Sequence, residues 1–180
     1  MRHFAVSAIG RDQPGIVAGV TRSLLDHAIN VEDSQMTILR GHFTMMLVVS
    51  GDDGLEAAAL RASVEGAATE LGLEAVSVSE LDDAEPEPPV VPSHMVTVYG
   101  VDHPGIVHAF TGALAGCDVN ITDLNTRLVG DPGEEDLYAM MLEVALPEGL
   151  SVAALESLLE ATRREQGVDV SIRELEADAL

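Results

Sequence analysis

The chain has 180 residues, 47% of them hydrophobic, 22% charged and 3% aromatic, with no tryptophan. That composition belongs to an ordinary globular protein whose cores are built from Val, Leu, Ile, Met and Ala. The net charge is −22, from 31 acids against nine arginines and no lysine, which argues against direct binding to nucleic acid or to an anionic membrane, since neither surface is held without clustered basic side chains.

One cysteine, Cys117, excludes an intramolecular disulfide and a cysteine-cluster metal site. Met1-Arg2-His3-Phe4 runs straight into a strand pattern without the regions of a signal peptide, and no apolar run approaches membrane-spanning length. A cytoplasmic location is expected.

Residues 3–9 alternate as a strand, and Gly10-Arg11 leads into Asp12-Gln13-Pro14-Gly15-Ile16-Val17. Ile16, Val17, Val20 and Leu24 follow at helical spacing and are expected to share one face. Pro14 suits the first helical turn, which would place Asp12 or Gln13 at or just before the N-cap, with Gly15 admitting backbone or ligand at close range. Asn30-Val31 opens a second strand, Arg40-Gly41-His42 reads as a short hairpin turn, and residues 43–50 form a third strand apolar enough to be central. Residues 55–71 are Ala-rich and helical, with Gly72 as the residue beyond the helix, and residues 74–81 close the unit as a fourth strand. The order is βαββαβ.

Asp82 to Pro92 reads DDAEPEPPVVP, a semi-extended acidic linker. It divides the chain into domains over residues 1–81 and 93–180.

The second domain repeats the first. Adding 90 carries Asp12 to Asp102, Ile16 to Ile106, Val20 to Phe110, Leu24 to Leu114 and Asn30 to Asn120, so that Asp102-His103-Pro104-Gly105-Ile106-Val107 stands where the first turn stood. Past the hairpin the offset is 95, as Met45-Met46-Leu47 pairs with Met140-Met141-Leu142, and the added length falls in a loop over Gly130-Asp131-Pro132-Gly133-Glu134-Glu135. Each turn ends in a helix start, whose free N–H groups and partial positive charge suit a carboxylate or phosphate.

The βαββαβ order, the D-x-P-G-I-V turn and an Asn followed by an apolar residue at the second strand together resemble the ACT domain, a small-molecule-sensing regulatory module. The resemblance covers both halves and implies an α+β fold of two ferredoxin-like units with antiparallel four-stranded sheets. Asn30-Val31-Glu32-Asp33-Ser34 and Gly41-His42-Phe43-Thr44 are similar to the tandem-ACT group named for the glycine cleavage system transcriptional repressor. The second half keeps Asn120-Ile121-Thr122-Asp123 but replaces the Gly-x-Phe hairpin with the acidic loop. The same turn opens formyltetrahydrofolate deformylase, and the expectation here is a chain without its catalytic domain.

The resemblance implies an amino-acid ligand, with glycine or serine first, held between paired ACT units by turn amides of one unit and the Asn of a facing unit. Carried over residue by residue, it nominates Asp12, Gln13, Gly15, Ile16, Asn30 and Val31, with Asp102, His103, Gly105, Ile106, Asn120 and Ile121. It also implies a regulatory partner protein and a homo-oligomer or an intrachain pair of units.

Six histidines, at 3, 27, 42, 94, 103 and 108, invite a metal reading, but His103 and His108 alone are close in sequence, and their i, i+5 spacing does not share a helix face. Cys117 has no basic neighbour to activate it, the Met pairs suit strand packing, and no nucleophile elbow, P-loop or dinucleotide fingerprint is present. The expected function is non-catalytic sensing without cofactor or metal, the alternative being a ligand-free protein interaction module on the same fold.

Overall fold

The computed structural model describes residues 1–81, 90–129 and 137–175. Most of the expected linker, at 82–89, and the expected acidic loop, at 130–135, lie outside the described residues. The chain forms two compact units, Met1–Glu87 and Pro88–Leu180.

In the first unit, β1 (Arg2–Arg11), α1 (Ile16–Leu25), β2 (Asn30–Leu39), β3 (His42–Gly51), α2 (Ala57–Glu70) and β4 (Ala75–Leu81) follow one another. The sheet order is β2-β3-β1-β4 with every pair antiparallel, so β1 and the apolar β3 are central and β2 is an edge. Alternation puts Phe4, Val6 and Ala8 of β1 and Phe43, Met45, Leu47 and Val49 of β3 on one buried face. Ile16, Val20 and Leu24 of α1 and Leu60 and Val64 of α2 close over them. Each fully buried Leu, Ile or Phe contributes about 1.5–3 kcal/mol. The Met pair splits as strand geometry requires, Met45 being 4% exposed and Met46 54%.

The second unit repeats this with β5 (His94–Val101), α3 (Ile106–Ala115), β6 (Asn120–Val129), β7 (Leu137–Ala145), α4 (Val152–Gln166) and β8 (Asp169–Glu174), in sheet order β6-β7-β5-β8. Its core holds Val96, Val98, Phe110, Leu114, Met140 and Leu142 under Leu155 and Leu159. Each unit is therefore an α+β, ferredoxin-like βαββαβ fold with a four-stranded antiparallel sheet.

Two expectations about the α1 helix need correction. Val17 does not share the buried face of α1: it is 43% exposed, and Val107 on α3 39%, because neighbouring helical positions point about 100° apart and Ile16 or Ile106 takes the inward one. Nor does Pro14 enter the first helical turn. The helix starts at Ile16 with Gly15 as its N-cap, and α3 starts at Ile106 with Gly105 in the same role.

The hairpin between β2 and β3 is tighter than read, since Leu39 pairs with His42 and only Arg40 and Gly41 turn. Both have positive φ, 51° and 80°, the backbone of a two-residue turn whose twist matches that of the flanking strands. A bulge interrupts the edge strand of each unit at the same place, between Val31 and Asp33 and between Ile121 and Asp123.

Candidate functional site

The D-x-P-G turn takes its shape from two constraints. The Asp12 N–H donates to the Gly41 carbonyl at 2.9 Å, which ties the end of β1 to the β2–β3 hairpin. The chain must then reverse into α1 within three residues, and it does so through Gly15 at φ 97°. Gly105 repeats this at φ 108°. Left-handed backbone of this kind costs a side-chain-bearing residue about 1–2 kcal/mol, so the glycine is required by conformation.

No side chain caps either helix. Of the residues expected at or just before the cap, Gln13 and His103 lie two positions and Asp12 and Asp102 three positions ahead of Gly15 and Gly105, and none of them is the N-cap. The first bonds of the helical ladders run from Gly19 N to Gly15 O at 2.8 Å and from Ala109 N to Gly105 O at 2.9 Å. The N–H groups of Ile16, Val17 and Ala18, and of Ile106, Val107 and His108, therefore precede any helical acceptor.

In the first unit these groups border a groove of about 440 Å³ whose lining includes Asp12, Gln13, Gly15, Ile16, Met36 and Phe43. A second groove, of about 250 Å³, shares Val17 and Met36 with it and reaches Val31, Ser34 and Gln35 between α1 and β2. One end thus offers a carboxylate and helix-start N–H groups, and the remainder is mainly apolar. Five of the six residues nominated in this unit line the two grooves; Asn30 lines neither.

Asn30 pairs with Ser50 at one end of β2, whereas Asp12 is tied to Gly41 beyond the other end. The strand has ten residues, so its ends lie about 30 Å apart. Asn120, paired with Ala145 at the start of β6, occupies the corresponding place, with Ile121 beside it. Within one unit, turn and asparagine cannot touch the same small ligand.

The second residue of each turn is already engaged. Gln13 donates from Nε2 to the Leu71 carbonyl at the C-cap of α2. His103 Nε2 lies 2.9 Å from the Gln166 carbonyl at the end of α4 and Nδ1 3.2 Å from the Pro104 carbonyl, each nitrogen donating when it carries hydrogen. These bonds hold the imidazolium above the ordinary histidine range, the Gln166 carbonyl first, then that of Pro104, with the Asp102 carboxylate adding to them. Sequence reasoning could not see these contacts, because the acceptors are backbone carbonyls. The only hint was that both positions carry a long side chain able to donate.

Beside the second turn, sequence reasoning also passed over Tyr138. It stands where Phe43 stands in the first unit, its hydroxyl is buried without a well-formed hydrogen bond although the Thr126 side chain acts on it, and burial pushes its pKa up against that influence. Among the described residues no group of three or more His, Cys, Asp or Glu converges on a common point, and no helix is long and apolar enough to cross a membrane.

Comparison with known proteins places this geometry. The profile of the ACT domain family matches residues 2–78 and 94–173. The glycine cleavage system transcriptional repressor of Escherichia coli is 27% identical over 94% of this chain and 88% of its own length. Phosphoserine phosphatase SerB2 of Mycobacterium tuberculosis is 25% identical over 94% of this chain, but over only 40% of that enzyme. Among solved structures, an unknown protein from Galdieria sulphuraria superposes with a TM-score of 0.79 at 30% identity, over 97% of this chain and 99% of that one. With one match in each βαββαβ unit, the chain belongs to the ACT domain family and carries two copies of it.

Proposed function

We propose that the chain is a non-catalytic regulatory protein that senses an amino acid, with glycine or serine first among the ligands, and controls a partner protein, in the manner that the name of its Escherichia coli relative suggests for transcription. The observation that carries this reading is the uncapped helix start behind a left-handed glycine, repeated in both units and bordered in the first by a groove with Asp12 in its lining. An α-carboxylate suits the N–H groups ahead of the helical ladder, and an α-ammonium suits Asp12 or Asp102. The asparagine amide supplies a donor and an acceptor. Since Asn30 lies a strand's length from Asp12, a ligand that uses both groups has to draw them from two different units, which favours an assembly of units over an isolated one.

The test is calorimetric titration of the purified protein with each common amino acid, beside a variant carrying Asn30→Ala and Asn120→Ala. The expected result is saturable binding of one amino acid at about −4 to −8 kcal/mol, lost in the variant. A folded, ligand-free sample that gives no heat with any amino acid would refute the reading.

A second reading is favoured by one specific observation. All ten residues of β2 are exposed, among them Met36, Ile38 and Leu39, as suits a module that binds a protein partner through this strand without a ligand. Under that reading the asparagine variant keeps its regulatory activity.

A further inference from the structure

The second residue of the D-x-P-G turn does the same mechanical work in both units with different chemistry. An α-helix leaves its last carbonyls without N–H partners. In α2 one of these is the Leu71 carbonyl, and Gln13 fills it from the turn 58 residues earlier. In α4 the residue at the same place is Gln166, and His103 fills its carbonyl from 63 residues away. Each bond pins the strand-to-helix turn against the far end of the unit's second helix.

A glutamine amide donates at any pH. A neutral imidazole carries a single N–H, and a carbonyl can only accept; His103 meets two carbonyls, so the cation alone makes both bonds at once. The site favours that cation, because the C-terminus of α4 presents partial negative charge. Asp102 lies on the same turn and acts on the ring in the same direction. The last turn of α4 brings Arg163, Arg164 and Glu165, and β8 brings Asp169. Glu160 holds both arginines, at 2.7 Å from each Nε, and Arg163 lies 3.7 Å from Asp169, so their charge is largely answered by carboxylates.

We propose that Gln13 and His103 are positioning residues that latch each D-x-P-G turn to the C-terminus of its unit's second helix, the first latch insensitive to pH and the second tightened by a proton. Loss of that proton leaves one of the two His103 bonds and removes the cation's attraction to the C-terminus of α4, which loosens the second turn against that helix. Acidity then acts on one half of the tandem and not on the other. The latch needs no ligand, and it stands or falls separately from the sensing function.

The experiment is an NMR titration of the full chain from about pH 5 to 9, following the histidine rings and the backbone amides of both turns, for the wild type, His103→Gln, His103→Ala and Gln13→His. In the wild type the His103 ring is expected to titrate above 6.5, with the Gly105, Ile106 and Gly167 amides moving at the same midpoint while Gly15 and Ile16 show no such inflection. His103→Gln, which keeps a donor at every pH, is expected to abolish the inflection with the turn held against α4, His103→Ala to abolish it with the turn displaced, and Gln13→His to bring the same inflection into the first unit. The proposal is overturned if His103 titrates at or below 6.5, if the second turn's amides ignore its titration, or if the Gln and Ala variants leave the turn in the same place.

Discussion

Gly100 passes so close to Val168 that a β-carbon on it would sit 2.7 Å from Val168 Cγ1 and 3.2 Å from Val168 Cα. Gly10 has the same relation to Leu73, at 2.8 Å from Cδ2 and 3.1 Å from Cα. The central strand of each unit is thereby packed directly onto the residue that leads out of the second helix. A backbone atom cannot step aside as a side-chain tip can, so Gly10→Ala and Gly100→Ala should each destabilise the protein by about 1–3 kcal/mol. Urea unfolding of the two variants checks this.

The left-handed positions divide into those that glycine occupies and those that it does not. Ala28 at φ 53° and Asp118 at φ 54° end the turns after α1 and α3, where Ile29 N bonds Leu24 O and Val119 N bonds Leu114 O, both at 3.1 Å. A left-handed residue with a side chain costs about 1–2 kcal/mol, and glycine's extra chain entropy returns roughly half of that. Ala28→Gly should therefore raise stability by about 0.5–1 kcal/mol, and Gly15→Ala should lower it by about 1–2 kcal/mol. Thermal denaturation of both variants should show opposite shifts.

Tyr138 buries a hydroxyl that makes no well-formed hydrogen bond, Thr126 acting on it only weakly, in the place where the first unit is content with Phe43. An unsatisfied buried hydroxyl costs about 1–3 kcal/mol. Tyr138→Phe should be neutral or stabilising by about 1 kcal/mol, the opposite of the usual effect of trimming a core side chain. Chemical denaturation of the variant measures it; a clear loss of stability would show that the hydroxyl has a partner in solution.

Glu160 accepts from Arg163 Nε at 2.7 Å, from Arg163 Nη2 at 3.0 Å and from Arg164 Nε at 2.7 Å. The hydrogen bonds from Arg163 and then Arg164 hold its carboxyl down to about 2, against an unfolded value of 4.5. The folded state thus binds this proton less readily than the unfolded chain does. The trio's stabilisation is complete above about pH 4.5 and is lost as pH falls through about 2. Glu160→Gln should lower the unfolding midpoint slightly at neutral pH, with a gap that narrows toward pH 2 and shrinks with added salt, because the pair is exposed and screened. Urea titrations at three pH values and two ionic strengths would show both trends.

The order of elements was legible because its signals are local. Alternation marked β1 and β3, apolar spacing marked α1 and α3, and the near-identity of Asp12–Val17 with Asp102–Val107 exposed the repeat. The site was legible only in part. Asp12 reads as a cap by residue type, but its N–H is spent on Gly41 across the sheet, and a single sequence gives no sign of that bond. Val17 reads as core by spacing, but two adjacent helical residues cannot both face inward. The links from Gln13 and His103 to their helix ends join residues 58 and 63 positions apart through main-chain oxygen, which leaves no trace in residue type at the accepting end.

The bulges between Val31 and Asp33 and between Ile121 and Asp123 break the exposed outer strands near their first residues. A regular strand arriving from another molecule can follow the free edge only as far as the interruption, where side chains and hydrogen-bonding groups fall out of phase. The most open edge of each unit can therefore accept a short, finite pairing, and it is a poor template for stacking chains without limit.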